Sequence, residues 1–264
     1  MAVRKKPRKG IVMADMHCGH RVGLTPPDWQ GKNINSKWDR TQMELWGLYE
    51  KMVQRYSPID FLLIPGDCVE GKGSRSGGTE LITTDRQTQA EMAAQCIAKW
   101  KCPYIVMTYG TSYHTGVSED WEDAVARHPD VKAKKIGGEE WININGTTFN
   151  IKHYISNTSV PYTKGTPLAR ERIWNMIWSE HEEAPKSDVI VRAHVHNFFY
   201  TGDNNFLGMT LPALQGLGSK FGTRIPSTHV DFGLVFVQVE KDGSFSWRPD
   251  IVRGKTQKVE ALTL

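Results

Sequence analysis

Short apolar runs alternate with amphipathic stretches through the first half of the chain. Ile11-Val12-Met13-Ala14-Asp15 reads as a buried strand. Trp38, Leu45, Trp46, Tyr49, Met52, Val53 and Tyr56 then recur at helical spacing. Phe61-Leu62-Leu63-Ile64 is a second strand. A Gly/Ser/Arg loop follows, and Thr83 or Thr84 is placed to cap a helix running to about Trp100. Residues 104–107 make a third strand, and Ser118 is placed to cap a short helix through Val125. This β-α-β-α-β order predicts parallel strands with right-handed crossovers.

The second half is richer in strands. Trp141-Ile142-Asn143-Ile144 alternates, and Asn145-Gly146 makes a hairpin turn into residues 147–153. Thr166-Pro167 supplies an N-cap and first helical residue for a helix reaching about Trp178. Residues 189–194 form a buried strand with 198–201 after it. Residues 232–239, the turn at Asp242-Gly243 and residues 245–252 form a closing hairpin. There is no internal repeat and no low-complexity linker. The pattern predicts an α/β protein with one domain over residues 10–264, two packed sheets with outer helices, behind a basic tail at 1–9.

The chain has 264 residues, 39% hydrophobic and 23% charged, enough for a substantial core. No apolar run approaches the ~20 residues that span a bilayer. The basic start, Arg4-Lys5-Lys6-Pro7-Arg8-Lys9, has no apolar segment behind it, which argues against a secretory signal. It reads as a solvated tail, with a weak nucleic-acid or phosphate contact as the alternative, and a net charge of +4 is too small to choose between them. The four cysteines, Cys18, Cys68, Cys96 and Cys102, form no CxxC pair, which excludes a zinc ribbon or a thioredoxin-type site. Reduced thiols in a cytoplasmic protein are expected. Cys18 and Cys68 each follow a candidate ligand directly and read as small buried neighbours of it.

Those candidate ligands carry the chemistry. Asp15-Met16-His17, Gly66-Asp67 and His194-Val195-His196 each lie at the end of an apolar run. Carboxylates and imidazoles on neighbouring strand ends are held on rigid elements and can converge on one point. Such a mixed oxygen and nitrogen set suits Mn, Fe, Zn or Co better than Mg or Ca.

In this order and spacing the chain resembles the calcineurin-like metallophosphoesterases. That family carries Asp-x-His, Gly-Asp, Gly-Asn-His, a lone His and Gly-His-x-His on strand ends. The matching residues are Asp15/His17, Gly66-Asp67, a degenerate Gly110-Thr111-Ser112-Tyr113-His114, His153, and Ala193-His194-Val195-His196, spanning about residues 10–200. The context around Cys18-Gly19-His20, Arg21 to Pro27 and residues 71–81 is similar to the phage and prophage branch of that family. The resemblance implies a four-layered α/β/β/α sandwich of two mixed sheets. It also implies two divalent transition-metal ions, Mn foremost, with Fe, Zn, Ni or Co as alternatives. Asp15, His17 and His196 would hold the first ion, His153 and His194 the second, and Asp67 both. A bridging hydroxide would then attack the phosphoryl group while the cations clamp its oxygens.

The third motif departs from the family pattern. The expected Asn is missing, and Thr111 or Ser112 occupies its stretch. His114 therefore has two readings: the acid that protonates the leaving group, which is favoured, or a ligand standing in for the Asn. Around the rim, Arg75 in the glycine-rich loop 71–78 is expected to grip phosphate. His20 is expected to support a ligand or touch substrate. Tyr113 is placed to stack a base, and Tyr162, Lys164 and Arg170 are further phosphate contacts. His128, His181 and His229 read as structural or exposed. The expected activity is a phosphodiesterase on a nucleotide or nucleic acid. The alternatives are a phosphomonoesterase and a weakly active, metal-stabilised nucleotide-binding protein.

Overall fold

The computed structural model describes residues 6–116, 118, 120–158, 160–217 and 230–253; of Arg75 and Arg253 it describes only the backbone. Its strands alternate their side chains between two cores. In β1 (Arg8–Val12) and β2 (Phe61–Pro65), Ile11, Leu62 and Ile64 point one way, toward Trp46, Tyr49, Met52, Met92, Ile97 and Trp100. Val12, Phe61 and Leu63 point the other way, toward Phe149, Ile151, Val189, Val191, Leu207 and Met209. Burial on both faces is why these strands read as unbroken apolar runs.

The first sheet has the order β11-β10-β1-β2-β3-β4, with β3 at Tyr104–Thr108, β4 at Lys135–Gly137, β10 at Asp231–Val239 and β11 at Phe245–Arg253. Strands β1 to β4 are mutually parallel, and β10 and β11 close one edge antiparallel. The second sheet has the order β5-β6-β7-β9-β8, with β5 at Glu140–Ile144, β6 at Thr147–Lys152, β7 at Val189–Arg192, β8 at Phe199–Asp203 and β9 at Phe206–Thr210. It is also mixed: β6, β7 and β9 are parallel, while β5 and β8 are antiparallel edges. Helices α1 (Lys37–Tyr56), α2 (Arg86–Ala98) and α4 (Trp121–Arg127) cover the first sheet, and α5 (Thr166–Glu180) covers the second. The one-turn α3 (Ser112–Thr115) carries Tyr113 and His114. The result is two packed sheets with outer helices, as the pattern predicts, in the four-layered sandwich that the resemblance implies.

Several local expectations shift. Helix α2 is capped by Asp85, whose carboxylate accepts from Gln87 and Thr88 N–H; Thr83 instead accepts from the Asp85 N–H. Helix α4 starts behind Asp120 and not Ser118, and Thr166 is the first residue of α5, after Gly165. Strands β4 and β9 were not predicted. In β9 the central Gly208 hides the strand pattern; a Cβ there would lie 3.0 Å from the Phe206 ring and 3.3 Å from Leu168. The basic start is not all tail: Arg8 and Lys9 belong to β1, and Lys6 and Arg8 pair with Asp60. Among the described residues no helix is long and apolar enough to cross a membrane.

Candidate metal centre

The candidate ligands lie just beyond the strands. Strand β1 ends at Val12 and β7 at Arg192, so Asp15 and His194 sit in loops and not at the strand termini predicted for them. The Asp15 loop runs beside the Asp67 loop and is laced to it. Asp15 N–H donates to Gly66 O, His17 N–H to Asp67 O and Cys18 N–H to Cys68 O, at 3.0–3.2 Å. Ala193 N–H donates to His153 O at 2.9 Å, and His194 N–H donates to Asp15 Oδ2 at 3.2 Å. Nine described non-glycine residues have positive φ, and Asp15, His17, Asp67, His194 and His196 are five of them. Each such conformation costs roughly 1–3 kcal/mol, and such strain concentrates at functional sites.

These loops gather the predicted ligands into two groups. Asp15, His17 and His196 form one, and Asp67, His153 and His194 the other, each with its donor atoms within 4.8 Å of one another. Asp15 Oδ1 lies 3.3 Å from His196 Nε2 and 3.8 Å from His17 Nε2, and the two imidazole nitrogens are 3.1 Å apart. His153 Nε2 lies 3.0 Å from Asp67 Oδ2 and 4.0 Å from Asp15 Oδ1. Asp15 Oδ1 and His153 Nε2 are buried and make no hydrogen bond among the described residues. Their near neighbours are other members of the same cluster, His196 for Asp15 and Asp67 for His153, at ion-pair distance. A divalent cation fits both sets of lone pairs.

Three histidines are oriented from behind. His17 Nδ1 lies 2.8 Å from Glu70 Oε2, His153 Nδ1 lies 2.8 Å from Pro65 O, and His114 Nδ1 lies 2.8 Å from Glu70 O. A carbonyl or carboxylate only accepts, so each Nδ1 carries its proton and each Nε2 faces the centre. Asp67 is held in the same manner. Thr111 donates to Asp67 Oδ1 from N–H at 2.8 Å and from Oγ1 at 3.2 Å, which leaves Oδ2 for the centre, where Thr111 Oγ1 also reaches it at 3.2 Å. Thr111 thus fills the stretch of the missing Asn by steering the carboxylate. Gly110 permits this: a Cβ there would sit 2.0 Å from Asp67 Oδ1.

The electrostatics follow from this crowding. Burial disfavours charge on Asp15, but His196 and His17 outweigh it and hold the carboxyl well below the usual range. Asp67 is likewise held down by His153 and His114 against its burial. Burial works to lower His153, yet Asp67 raises it to about 9. Asp15 and Glu70 raise His17 well above an ordinary imidazole, again against burial. His114 and His194 are lowered, chiefly by burial.

Sequence reasoning missed two acids. Glu70, three residues after Asp67, backs His17 and forms a third possible metal group with His17 and His114. Its closeness to the Gly-Asp motif was the available signal. Glu122 is fully buried in α4 and accepts from Cys68 N–H at 2.7 Å and Gly110 N–H at 2.6 Å, so it ties the Asp67 loop to the Thr111 loop. Burial, with Asp67 adding, raises its carboxyl to about 7.

The rim residues are less closely gathered. Tyr113 meets the His114 ring edge-on, centroids 4.8 Å apart. His20 is buried, accepts from Val22 N–H and lies 3.9 Å from Glu80; burial lowers its pKa. Arg170 donates to Ser156 Oγ at 2.6 Å, and Tyr162 is almost wholly exposed. The Arg75 side chain and His229 lie outside the described residues. Cys18 and Cys68 are fully buried beside the ligands, as expected.

No family model and no curated protein matches the chain. Solved structures similar to it include an archaeal phosphodiesterase, 11% identical, covering 92% of this chain and 99% of that one with a TM-score of 0.47. Vacuolar Protein Sorting 29 from Cryptosporidium parvum is 11% identical, covering 95% and 100% with a TM-score of 0.49. A predicted phosphoesterase from Streptococcus pneumoniae is 11% identical, covering 92% and 98% with a TM-score of 0.37.

Proposed function

We propose that this chain is a two-metal phosphoesterase acting on phosphodiesters, with a nucleotide or nucleic acid as its substrate. Asp15, His17 and His196 would hold one ion and His153 and His194 the other, with Asp67 shared between them. The observation that carries this reading is the convergence of two donor groups on one buried centre. Within it, Asp15 Oδ1 and His153 Nε2 lack any hydrogen bond among the described residues. The donor chemistry favours Mn or another first-row transition metal. Such ions, when bound, lower the pKa of water and offset charge on phosphoryl oxygens.

The chain's own residues do the rest. Thr111 fixes the rotation of Asp67. Glu70 and Pro65 O fix the ring orientation of His17 and His153. His114 keeps Nδ1–H on Glu70 O, so Nε2 is the atom that takes up the second proton when the ring becomes an imidazolium, and it gives that proton to the departing oxygen, returning to the neutral Nδ1–H form. Its Nε2 lies 3.9 Å from Asp67 Oδ2, next to the centre without joining the group formed by Asp67, His153 and His194. Arg21, Lys72, Lys164 and Arg170 supply more positive charge around these loops than one terminal phosphate requires, which favours a diester. Chelation should abolish hydrolysis of an aryl phosphodiester, and Mn²⁺ should restore it more fully than Ca²⁺. Full turnover by protein shown to be metal-free would refute the proposal, as would a clear preference for simple monoesters over diesters.

A further inference from the structure

The loop after His153 carries features that metal binding does not require. Tyr154 is 55% exposed, an unusual position for a tyrosine whose ring lies against a buried site. Its ring packs on the His194 imidazole, centroids 5.1 Å apart and tilted 44°. Past it, residues 155–158 line a small, open depression. The lining also includes Val195 and Asn197, which flank His196. The pocket therefore shares both of its loops with candidate ligands.

Its lining selects the chemistry. Ser156, Asn157, Thr158 and Asn197 offer hydroxyl and amide groups, Lys164 is the one charged residue in the lining, and no carboxylate lines it. Arg170 adds a second cation behind Ser156; since Ser156 Oγ accepts from Arg170, its own O–H is left to donate. An exposed aromatic face next to a small, cationic, hydroxyl-rich pocket matches a base joined to a sugar-phosphate.

We propose that Tyr154 and this pocket form a single-nucleotide subsite beside the centre. The base stacks on Tyr154, and the phosphate on the far side of its sugar meets Lys164 and the Ser156 hydroxyl. The proposal rests on the metal reading above and adds the substrate unit that the rim selects.

Equilibrium binding to the Mn²⁺-loaded protein tests it without turnover. The probes are methyl phosphate, thymidine 5′-monophosphate and thymidine 3′,5′-bisphosphate, with metal content measured for every variant. The wild type should prefer each successive probe. Tyr154→Ala should weaken the monophosphate about 5- to 150-fold while leaving its metal content intact, the range expected for losing one base stack. Tyr154→Phe should keep the preference. Lys164→Ala should remove most of the gain from the second phosphate, about tenfold. Equal binding of all three probes by the wild type would overturn the subsite, and so would an undiminished thymidine preference in Tyr154→Ala. If the wild type takes up no Mn²⁺, the metal reading falls and the subsite with it. Mn²⁺ uptake and diester hydrolysis without any thymidine preference would sink the subsite alone.

Discussion

Asp67→Asn should yield a folded protein that retains at most one metal and loses on the order of 10²–10³-fold or more in phosphodiesterase rate. Thr111 sets the outcome. Its N–H and hydroxyl both donate to Asp67 Oδ1, so an Asn at this position keeps its carbonyl there and turns its NH₂ toward the centre. A negatively charged acceptor 3.0 Å from His153 becomes a neutral donor where a cation is to sit. The side-chain shape is unchanged, so circular dichroism should match the wild type while elemental analysis and rate both fall. Both ions bound at near-normal rate would remove Asp67 from its shared role.

His114→Ala should cost on the order of 10²–10⁴ in rate on a substrate with a poor leaving group. The cost should shrink markedly for nitrophenolate, which departs without a proton. Both metals should remain. The reason is geometric: Nδ1 is fixed on the Glu70 carbonyl, and Nε2 is left at the edge of the centre. The rival role makes a different pattern. Were His114 a ligand, the variant would lose an ion and slow equally on both leaving groups. Rate on two leaving groups, with metal stoichiometry, separates these roles.

The candidate ligand motifs were legible because each adjoins an apolar run that had to be a buried strand. The exact ends of those strands were not. The chain leaves β geometry before Asp15 and before His194 and turns left-handed at both, which side-chain pattern does not encode. Thr111 shows what motif matching could not supply: the residue in the stretch of the missing Asn has a visible task only once Asp67 Oδ1 is seen beside it. Glu122 was hidden for another reason. It lies between Trp121 and Asp123 at the start of a helix, where an acid usually faces water, yet it is fully buried between two loops. Tyr154 gave no signal in one dimension, because its partner His194 is forty residues away.

Anomalous X-ray diffraction at the manganese edge, from crystals of the Mn²⁺-loaded wild type, tests the central claim most directly. The account predicts two peaks per chain. One lies among Asp15, His17 and His196, the other among His153 and His194, and Asp67 Oδ2 contacts both. No peak, or a single peak among His17, Glu70 and His114, would contradict it.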